Sequence, residues 1–542
     1  MKKYILTLLI GSLGLLAFKA EDYFEVSKNL DIFSEVYREV NTTYVDEVKP
    51  GKLIRAAIDG MLKSLDPYTN FYSEAQAEDY RFQVTGTYAG IGSTIRTIGD
   101  YVYIESPVDG FAAHKAGLLP GDKILAVDGK DMKGKNSGEV TDFLKGKSGT
   151  TFQLTIDRIG EGEIVKDITR ENIKMKNVPY FGIIENNIGY VKLTGFTPNA
   201  GREVRDAVVK LKEQGAKSIA LDLRGNGGGL LHEAINIVNV FVPRGETIVI
   251  TKGKSKEDTK VYKTLNTPVD TEIPVVVLID KGSASASEIV SGSLQDLDRA
   301  VLVGRNSFGK GLVQVTKRLT YNTSMKITTA KYYIPSGRLI QRLDYGNKVN
   351  GKAIAVADST KKEFKTKNGR NVTDGEGIQP DINIAGQKYS KLAQSLIKNN
   401  LIFKYANLYR SENEQIVEPL AFNVSDEEYE DFKKFIAGKE YHYTTRTEEQ
   451  LEKLVKRSET DEYYDLLKEE LEKLKSALEA SKEADIDNKK DEIKELIEYE
   501  IIKRYYFERG KVEATFDDDV DWEKTKEILV DITKYSAVLE NS

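Results

Sequence analysis

A serine-rich turn separates an apolar run from a predicted helix. Residues 275–280 are predicted to form a buried strand, and the segment 283–288 (Ser-Ala-Ser-Ala-Ser-Glu) follows it. A serine at the start of a helix lies where unpaired main-chain amides and the positive end of the helix dipole converge. That arrangement can hold an oxyanion beside a nucleophilic hydroxyl. The segment also fits a capping box in which Ser285 only caps the helix, and Ser283 and Ser287 remain alternative nucleophiles.

Lys310 lies between two glycines with apolar residues on either side, and it is the candidate general base. A free lysine has a pKa of about 10.4 and is a poor base at neutral pH, so burial would have to lower that pKa to about 7. Gln314 lies four residues further on and is expected to share a face with Lys310. Its neutral amide could orient the amine without restoring the charge. For Lys310 alone, an ordinary solvent contact in a loop is the alternative.

A glycine-rich segment, 221–229 (Leu-Asp-Leu-Arg-Gly-Asn-Gly-Gly-Gly), predicts a strand that ends in a turn before a helix begins. Main-chain amides exposed in such a turn can bind a phosphate or an oxyanion. No Gly-Lys-Ser/Thr follows, so the segment is not a P-loop, and the glycine spacing does not match the dinucleotide fingerprint. Taken alone, the segment is also typical of a tight turn.

A second glycine motif, Gly90-Ile91-Gly92, precedes a predicted strand. Consecutive amides in such a loop can bind a terminal carboxylate, and the strand that follows can accept an extended peptide by β-augmentation. An ordinary hairpin turn is the alternative for the loop by itself.

These segments fall in regions of different periodicity. Residues 21–80 have helical periodicity until Leu65-Asp66-Pro67, where proline stops the helix. Residues 84–160 change to short β-type runs with glycine-rich turns, and residues 180–390 alternate strand and helix. The strands predicted in this region are 188–193, 218–223, 275–280 and 301–304. They are continuous apolar runs, which predicts an α/β layer structure with both sheet faces covered.

The C-terminal region is rich in Lys and Glu and is predicted to be helical. Apolar residues recur at helical spacing in two stripes. The stripes are Leu467, Leu471, Leu474 and Leu478, and Ile493, Ile497 and Ile501. We predict a helical appendage with a solvated charged face. A coiled-coil dimer seam is the alternative, but about two heptads are too few to establish it.

Composition excludes several classes of function. The chain has 542 residues, and its 79 Lys and Arg against 85 Asp and Glu give a net charge of −6, which argues against a dedicated nucleic-acid-binding protein. It has no Cys, so disulfides, cysteine nucleophiles and thiolate metal sites are excluded. A Ser-His-Asp mechanism would have to use His114, His232 or His442. Only His232 is near the candidate site in the sequence, and it opens an amphipathic helix.

The N-terminus predicts export. Lys2 and Lys3 precede an apolar stretch, 4–18, of 15 residues, which is short for a membrane span of about 20 residues. We predict a secretory signal. Because a large residue stands at the expected cleavage site, an uncleaved N-terminal anchor is the alternative.

Taken together, residues 21–390 resemble the carboxy-terminal processing proteases, also called tail-specific proteases. These are serine peptidases with an embedded PDZ domain and a Ser-Lys dyad. The matching segments occur in the family's order: 65–67, 88–129, 222–224, 283–288, 309–314, 328–333, 335–338 and 377–381. Each motif is modest alone, but the ordered set is specific.

The resemblance implies roles for individual residues. Ser285 would be the nucleophile, Lys310 the general base and Gln314 the residue that orients the base. No metal or organic cofactor is implied. The oxyanion donors would be the amides of Ala286 and Gly228, with Gly227 as the alternative.

The resemblance extends to the residues around this centre. The peptide carboxylate would bind at Gly90, Ile91 and Gly92. Supporting residues around the site would be Glu288, Asp296 and Ser307.

The expected fold class is multidomain α+β. The expected parts are a signal peptide or anchor (1–20), a helical N-terminal segment (21–82), a β-rich PDZ domain (83–165), an α/β, crotonase-like protease core (166–390) and a charged helical C-terminal region (391–542).

The expected function is that of a serine endopeptidase cleaving exported proteins near their C-termini. The expected partners are proteins or peptides with free C-terminal tails, with N-terminal membrane anchoring and a homodimer as further expectations. The expected location is the bacterial periplasm or the periplasmic side of the membrane. Two alternatives remain, a non-catalytic PDZ adaptor and an acyl-CoA enzyme. The intact Ser285 and Lys310 argue against the adaptor, and the PDZ-like segments argue against the acyl-CoA enzyme.

Overall fold

The computed structural model describes residues 2–76, 85–386 and 388–540. They form two compact units. Within the described residues, the smaller unit comprises 2–76, 314–329 and 344–354, and the larger comprises 85–313, 330–343, 355–386 and 388–540. The predicted boundary between residues 82 and 83 lies outside the described residues.

The smaller unit contains two helices, Lys2–Thr43 and Pro50–Leu65. The second helix ends at Asp66, whose Oδ1 accepts the main-chain N–H of Tyr68 and of Thr69, both at 2.8 Å. The predicted stop at Leu65-Asp66-Pro67 is therefore confirmed. No helix in the described part of the chain is both long and apolar enough to cross a membrane.

The β-structure of the smaller unit is short. The strand Asn70–Tyr72 pairs with residues 324–326 in antiparallel register. These residues begin the strand Ser324–Tyr333, which forms a hairpin with Leu312–Arg318. A second hairpin joins Leu343–Val349 to Lys352–Ala355.

The β-rich module of the larger unit is built on one antiparallel sheet. Its strands, in spatial order, are Ser93–Ile98, Tyr101–Pro107, Lys123–Val127, Thr151–Arg158 and Gly162–Thr169, with Lys130–Asp131 paired to the third. The short strands Thr87–Gly90 and Glu171–Lys174 pair with each other. The helices Ala112–Lys115 and Ser137–Leu144 complete the module. Its core includes Val102, Ile124 and Leu154, which are fully buried.

The candidate site belongs to a second, six-stranded sheet. Its order is Tyr180–Ile183, Ile188–Lys192, Ser218–Asp222, Val275–Ile279, Val301–Gly304 and Ile382–Asn383. All neighbours after the first pair are parallel. The helices Ala200–Glu213, Leu231–Phe241 and Ala286–Asp296 connect the strands. The carboxyl ends of parallel strands lie at one edge of the sheet, and this edge carries the predicted serine and glycine segments.

Smaller strands surround this sheet. Thr247–Gly253 pairs with Lys260–Lys263 and with residues 330–333. Glu363–Lys365 pairs with Asn371–Thr373.

The C-terminal region is helical, as predicted. Its helices are Lys391–Lys398, Leu401–Glu412, Asp426–Ile436, Arg446–Thr460, Tyr464–Asn488, Lys490–Glu513, Val520–Val530 and Ile532–Glu540. Several begin with capping boxes, such as Ser425 with Glu428. In the predicted stripes, Ile493, Ile497 and Ile501 are fully buried, whereas Leu467 and Leu474 stay exposed.

The end of this region packs on the six-stranded sheet. The outer residues of the six-stranded sheet, including Ile188, Val276 and Val303, pack against Phe516, Trp522, Ile528 and Tyr535. The helices Val520–Val530 and Ile532–Glu540 thus cover one face of this sheet. The sequence predicted that both faces are covered but did not indicate which segment covers this one. The last helices are therefore part of the sheet's packing rather than a separate appendage.

Candidate active site

Ser285 lies at the turn between the strand Val275–Ile279 and the helix Ala286–Asp296. Its φ of 57° and ψ of −111° are uncommon for a residue with a side chain, and such strain occurs often at functional sites. Ser285 is half-buried, so its hydroxyl can meet a substrate.

The two alternative serines are committed elsewhere. Ser283 and Ser287 are fully buried. Ser283 Oγ donates to the main-chain oxygen of Leu223 at 2.8 Å, and Ser287 Oγ donates to that of Asn226 at 2.8 Å. Of the three serines, only Ser285 has an accessible side chain in this conformation.

The glycine loop, residues 224–229, follows the strand Ser218–Asp222 and lies against Ser285. A Cβ on Gly228 would be 2.5 Å from the oxygen of Ala284 and 2.8 Å from the nitrogen of Ala286. Gly228 also has a φ of +91°, so both space and conformation require glycine there. The predicted oxyanion residues Gly228 and Ala286 are therefore neighbours.

The Gly228 amide donates to Asn226 Oδ1 at 2.9 Å in this structure. An oxyanion would have to replace that bond to use the Gly228 amide. Ala286 is the first residue of its helix, where the N–H has no intrahelical acceptor. Gly227 stays the alternative second donor.

Lys310 lies in the base loop, residues 305–311, which connects the strands Val301–Gly304 and Leu312–Arg318. Its residue is half-buried. The base loop packs closely against Arg342 at Gly309: a Cβ on Gly309, whose φ is +85°, would be 2.4 Å from Arg342 Cβ. This close packing constrains the main chain next to Lys310.

Glu288 ties the serine turn to the base loop. It is fully buried. Its Oε2 accepts the main-chain N–H of Ser285 at 2.7 Å and of Lys310 at 2.9 Å. Its Oε1 accepts from Ser307 Oγ at 2.5 Å and from the Gly309 N–H at 2.7 Å. One carboxylate thus receives four donors from the two segments, and the predicted supporting residues Glu288 and Ser307 lie together.

Tyr332 makes a second connection between the same segments. Its hydroxyl lies 3.1 Å from the main-chain oxygen of Ser285 and also within hydrogen-bond distance of that of Lys310. The residue is almost fully buried. Residues 328–333 match one of the family's motifs, but the sequence predicts no role for Tyr332, because periodicity does not show which of two adjacent tyrosines points to the site.

Asp296 lies at the opposite end of the helix from Ser285. Its Oδ1 is 2.8 Å from Arg338 Nη2, and its Oδ2 accepts the N–H of Ser336 at 2.9 Å. An eleven-residue helix spans about 16 Å, so Asp296 supports the packing of Arg338 at a distance from the nucleophile.

Gln314 belongs to the smaller unit, where its Nε2 donates to Thr328 Oγ1 at 3.2 Å. His232 is exposed, with Nε2 3.4 Å from Glu233 Oε1. In the part of the chain that the structure describes, no cluster of three or more His, Asp or Glu side chains is arranged to hold a metal ion.

The loop Gly90-Ile91-Gly92 joins the strands Thr87–Gly90 and Ser93–Ile98. Ser93–Ile98 is an edge strand, and the helix Ser137–Leu144 lies beside it, with the Ser137 N–H donating to Thr97 Oγ1 at 2.8 Å. An open strand edge beside a helix is the setting in which β-augmentation occurs. Burial raises the pKa of the Tyr88 phenol, against the lowering effect of the main-chain N–H groups of Gly92 and Ser93.

Glu288 predicts a specific pH dependence of stability. Burial raises the pKa of Glu288 to about 7 from an ordinary 4.5, against the lowering effect of its hydrogen bonds. Because the pKa of Glu288 is higher in the folded protein than in the unfolded chain, protonation of Glu288 stabilises the fold. This contribution is complete below pH 4.5 and is lost as the pH rises through about 7. Over this pH range the free energy of unfolding of wild type should therefore fall by about 3 kcal/mol relative to that of Glu288→Gln.

Denaturant unfolding followed by Trp522 fluorescence measures this effect, because the chain's one Trp is fully buried against the sheet. Glu272→Gln, at an exposed position, is the matched control and should follow wild type. Parallel pH curves for wild type and Glu288→Gln would contradict the expected ionisation.

Comparisons with known proteins agree with this architecture. Family models match in chain order: "Activating protease CtpB N-terminal domain" at 16–76, "PDZ domain" at 82–157, "Peptidase family S41" at 187–350 and "Probable PDZ-protease, C-terminal helical domain" at 392–529.

Individual relatives match over most of their length. A carboxy-terminal-processing protease of Bartonella bacilliformis is 40% identical over 319 residues, covering 58% of this chain and 73% of the relative. A probable CtpA-like serine protease of Staphylococcus aureus is 34% identical over 380 residues, covering 69% and 68%. A solved photosystem II D1 C-terminal processing protease is 26% identical, covering 65% of this chain and 92% of that chain, with a TM-score of 0.35.

The fold and the matches define a serine-type peptidase that carries a PDZ domain. The chain belongs to the carboxy-terminal processing proteases of peptidase family S41. The predicted family and fold class are confirmed.

Proposed function

We propose that this peptidase uses Ser285 as nucleophile and Lys310 as general base to cleave exported proteins near their C-termini. One observation carries the proposal: Glu288 Oε2 accepts the N–H groups of both residues, at 2.7 and 2.9 Å. Adding these lengths, the two main-chain nitrogens lie no more than 5.6 Å apart. The main chains of two residues that are distant in sequence therefore lie close together, which supports the proposal that their side chains react together.

The proposed reaction is acyl transfer. Neutral Lys310 Nζ takes the Ser285 Oγ proton as Oγ attacks the scissile carbonyl carbon. The amides of Ala286 and Gly228 hold the oxyanion, the Gly228 amide leaving Asn226 to do so. The Lys310 ammonium then protonates the departing amine as the C–N bond breaks. Water, deprotonated by the same lysine, hydrolyses the acyl-enzyme and frees Ser285. We further propose, from its spacing, that Gln314 orients Lys310.

The experiment that tests this assignment combines cleavage with labelling. The full chain is incubated with a flexible protein ending in an apolar residue and a free carboxylate, and the products are identified by mass spectrometry. In parallel, a fluorophosphonate probe is applied and the labelled peptide is mapped. Cleavage together with a label on Ser285 is expected. A label on Ser283 or Ser287 would overturn the assignment, and tail binding without cleavage would favour the adaptor.

We propose that the substrate's C-terminal carboxylate binds the amides at Gly90, Ile91 and Gly92 and that its tail pairs with Ser93–Ile98. The main-chain N–H groups of Gly92 and Ser93 lower the pKa of the Tyr88 phenol, so this phenol oxygen is a competitor of the carboxylate for these amides. Tyr88→Phe removes this competing acceptor and should strengthen binding of a tail peptide about 2- to 10-fold.

Fluorescence anisotropy with a labelled tail peptide measures that affinity. Tyr101→Phe in the same module is the matched control. Weaker binding by Tyr88→Phe would mean that the phenol contributes to tail binding rather than competing with it.

We propose that residues 1–20 direct export to the periplasm, as a cleaved signal or as an anchor. The intact mass of protein recovered from the periplasm and from the membrane would distinguish the two.

We also propose a homodimer through the first helix, where Tyr23, Val26, Leu30 and Phe33 form an apolar stripe at helical spacing. All four are exposed in the single chain, Tyr23 by 75%. Sedimentation of wild type against Leu30→Glu would test it, and a monomeric wild type would reject it.

A further inference from the structure

The C-terminal region contributes carboxylates to the candidate site. Asp521, on the helix Val520–Val530, is 1% exposed. Its Oδ2 lies 3.0 Å from Arg224 Nη1 and 2.6 Å from Arg305 Nη1. Asp519, which caps this helix, accepts from Arg224 Nη1 at 2.8 Å. A single oxygen of Asp521 therefore contacts two arginines from different parts of the protease core.

These arginines begin the two loops of the site. Arg224 is the first residue of the glycine loop, which contains Gly228. Arg305 is the first residue of the base loop, which contains Lys310, and its N–H donates to Ile279 at the end of the strand before Ser285. Asp521 thus links the loop of the oxyanion donors to the loop of the general base.

Asp521 belongs to a balanced and mostly buried ionic network. Its anions are Asp222, Asp519 and Asp521, and its cations are Lys192, Arg224 and Arg305. Asp222 is fully buried, and Arg224 and Lys192 hold its pKa well below the usual range despite that burial. Removing one member of such a network leaves a buried charge uncompensated, so the remaining groups must rearrange.

Docking of the C-terminal helix does not depend on Asp521 alone. Trp522, Ile528, Leu529 and Tyr535 pack on the sheet, and Trp522 is fully buried. Burial of large apolar side chains is the main favourable contribution to packing of this kind. Loss of one charge at Asp521 should therefore leave the helix in place while releasing the two loops.

We propose that Asp521 is a positioning residue that sets the spacing between the glycine loop and the base loop. The C-terminal helical region thereby completes the active site. This inference rests on the proposed function of Ser285 and Lys310. Since a displacement of about 1 Å at a reacting centre can cost up to about 100-fold in rate, the effect should fall on kcat.

The test compares full-length wild type, Asp521→Asn and Glu527→Gln. Glu527 is on the same helix but pairs at the surface with Lys524 and Lys534, which makes it the matched control. The measurements are kcat and KM on a short peptide substrate, the rate of fluorophosphonate labelling, and the melting temperature. Asp521→Asn should lose about 10- to 100-fold in kcat and in labelling rate, with KM within about threefold. Glu527→Gln should match wild type.

Wild-type kcat in Asp521→Asn, or a fall explained by unfolding at the assay temperature, would overturn the proposal. If Asp521→Asn does not fold, Arg305→Lys keeps the charge and alters only the geometry, and it should show the same selective loss of kcat. An Arg305→Lys variant with wild-type kcat would then reject the proposal.

Hydrogen exchange separates this inference from the proposed function. In Asp521→Asn, exchange should accelerate in peptides covering 224–229 and 305–311 and stay unchanged in the β-rich module. That result does not depend on activity. If wild type neither cleaves nor labels at Ser285, the proposed function fails while hydrogen exchange still tests the link between the loops. Unchanged exchange in both loops would contradict the link.

Discussion

Replacing Ser285 with alanine is expected to lower kcat about 10,000-fold or more. The methyl group cannot form the acyl-enzyme, so only the oxyanion donors and substrate binding would still act on the scissile bond. Binding of a tail peptide should stay within about twofold of wild type, because the proposed carboxylate site lies in a different module. Cleavage kinetics and fluorescence anisotropy on the same preparation measure both quantities.

Ser283→Ala and Ser287→Ala are the matched controls for Ser285→Ala. Each removes a buried hydroxyl that donates to a main-chain oxygen, so each should cost about 1 kcal/mol of stability while the protein still labels at Ser285. Full activity in Ser285→Ala, or loss of labelling in Ser287→Ala with the fold intact, would move the nucleophile to another serine.

Sequence patterns predicted the strands of the protease core closely. The strands Ile188–Lys192, Ser218–Asp222 and Val275–Ile279 each end one residue before the predicted limit, and Val301–Gly304 matches it. Such accuracy is expected where apolar runs are bounded by glycine or charged residues, because parallel strands are buried on both faces. The sequence of 283–288 fits both a helix capping box and a catalytic serine, because a local pattern does not show what else the side chains contact. Glu288 does accept the Ser285 N–H, as in a capping box, and also accepts from the base loop.

Contacts between distant segments could not be predicted in this way. Asp521 lies in an acidic stretch, 517–521, that reads as a solvated surface, and nothing local indicates that it faces Arg224 and Arg305. Tyr332 reaches Ser285 only because the strand Ser324–Tyr333 turns that side chain inward. Periodicity reports which residues share a face of one element, whereas these contacts depend on how elements pack.

The loops of the site are held by contacts from the core and from the C-terminal region. Glu288 and Tyr332 hold the serine turn to the base loop from within the core. Asp521 links the base loop to the glycine loop from a helix that the core sequence does not contain. The last helices therefore contact two of the three loops in the mechanism, in addition to the contacts that those loops make within the core. Truncation within 391–542 would expose the apolar face lined by Ile188 and Val276 and would unbalance the buried charges, so it is a poor way to isolate an active core.

Lys310→Ala is expected to lower kcat about 1,000-fold or more, because general acid–base catalysis contributes about 100- to 10,000-fold. In the proposed reaction, Lys310 takes a proton from Ser285 and donates it to the leaving amine, and alanine can do neither. The main-chain N–H of residue 310 would still donate to Glu288, so the loop should keep its path. A variant with wild-type melting temperature and lost activity is therefore expected.

Lys310→Arg separates proton transfer from positive charge. A guanidinium stays protonated throughout the working pH range and cannot act as a base, so this variant should be about as inactive as Lys310→Ala. Added propylamine should restore part of the activity of Lys310→Ala, with a rate that rises with pH as the free amine forms, and should not restore Lys310→Arg. Activity within about tenfold of wild type in Lys310→Arg would show that the lysine serves as a fixed charge, and Ser285 would then need another base.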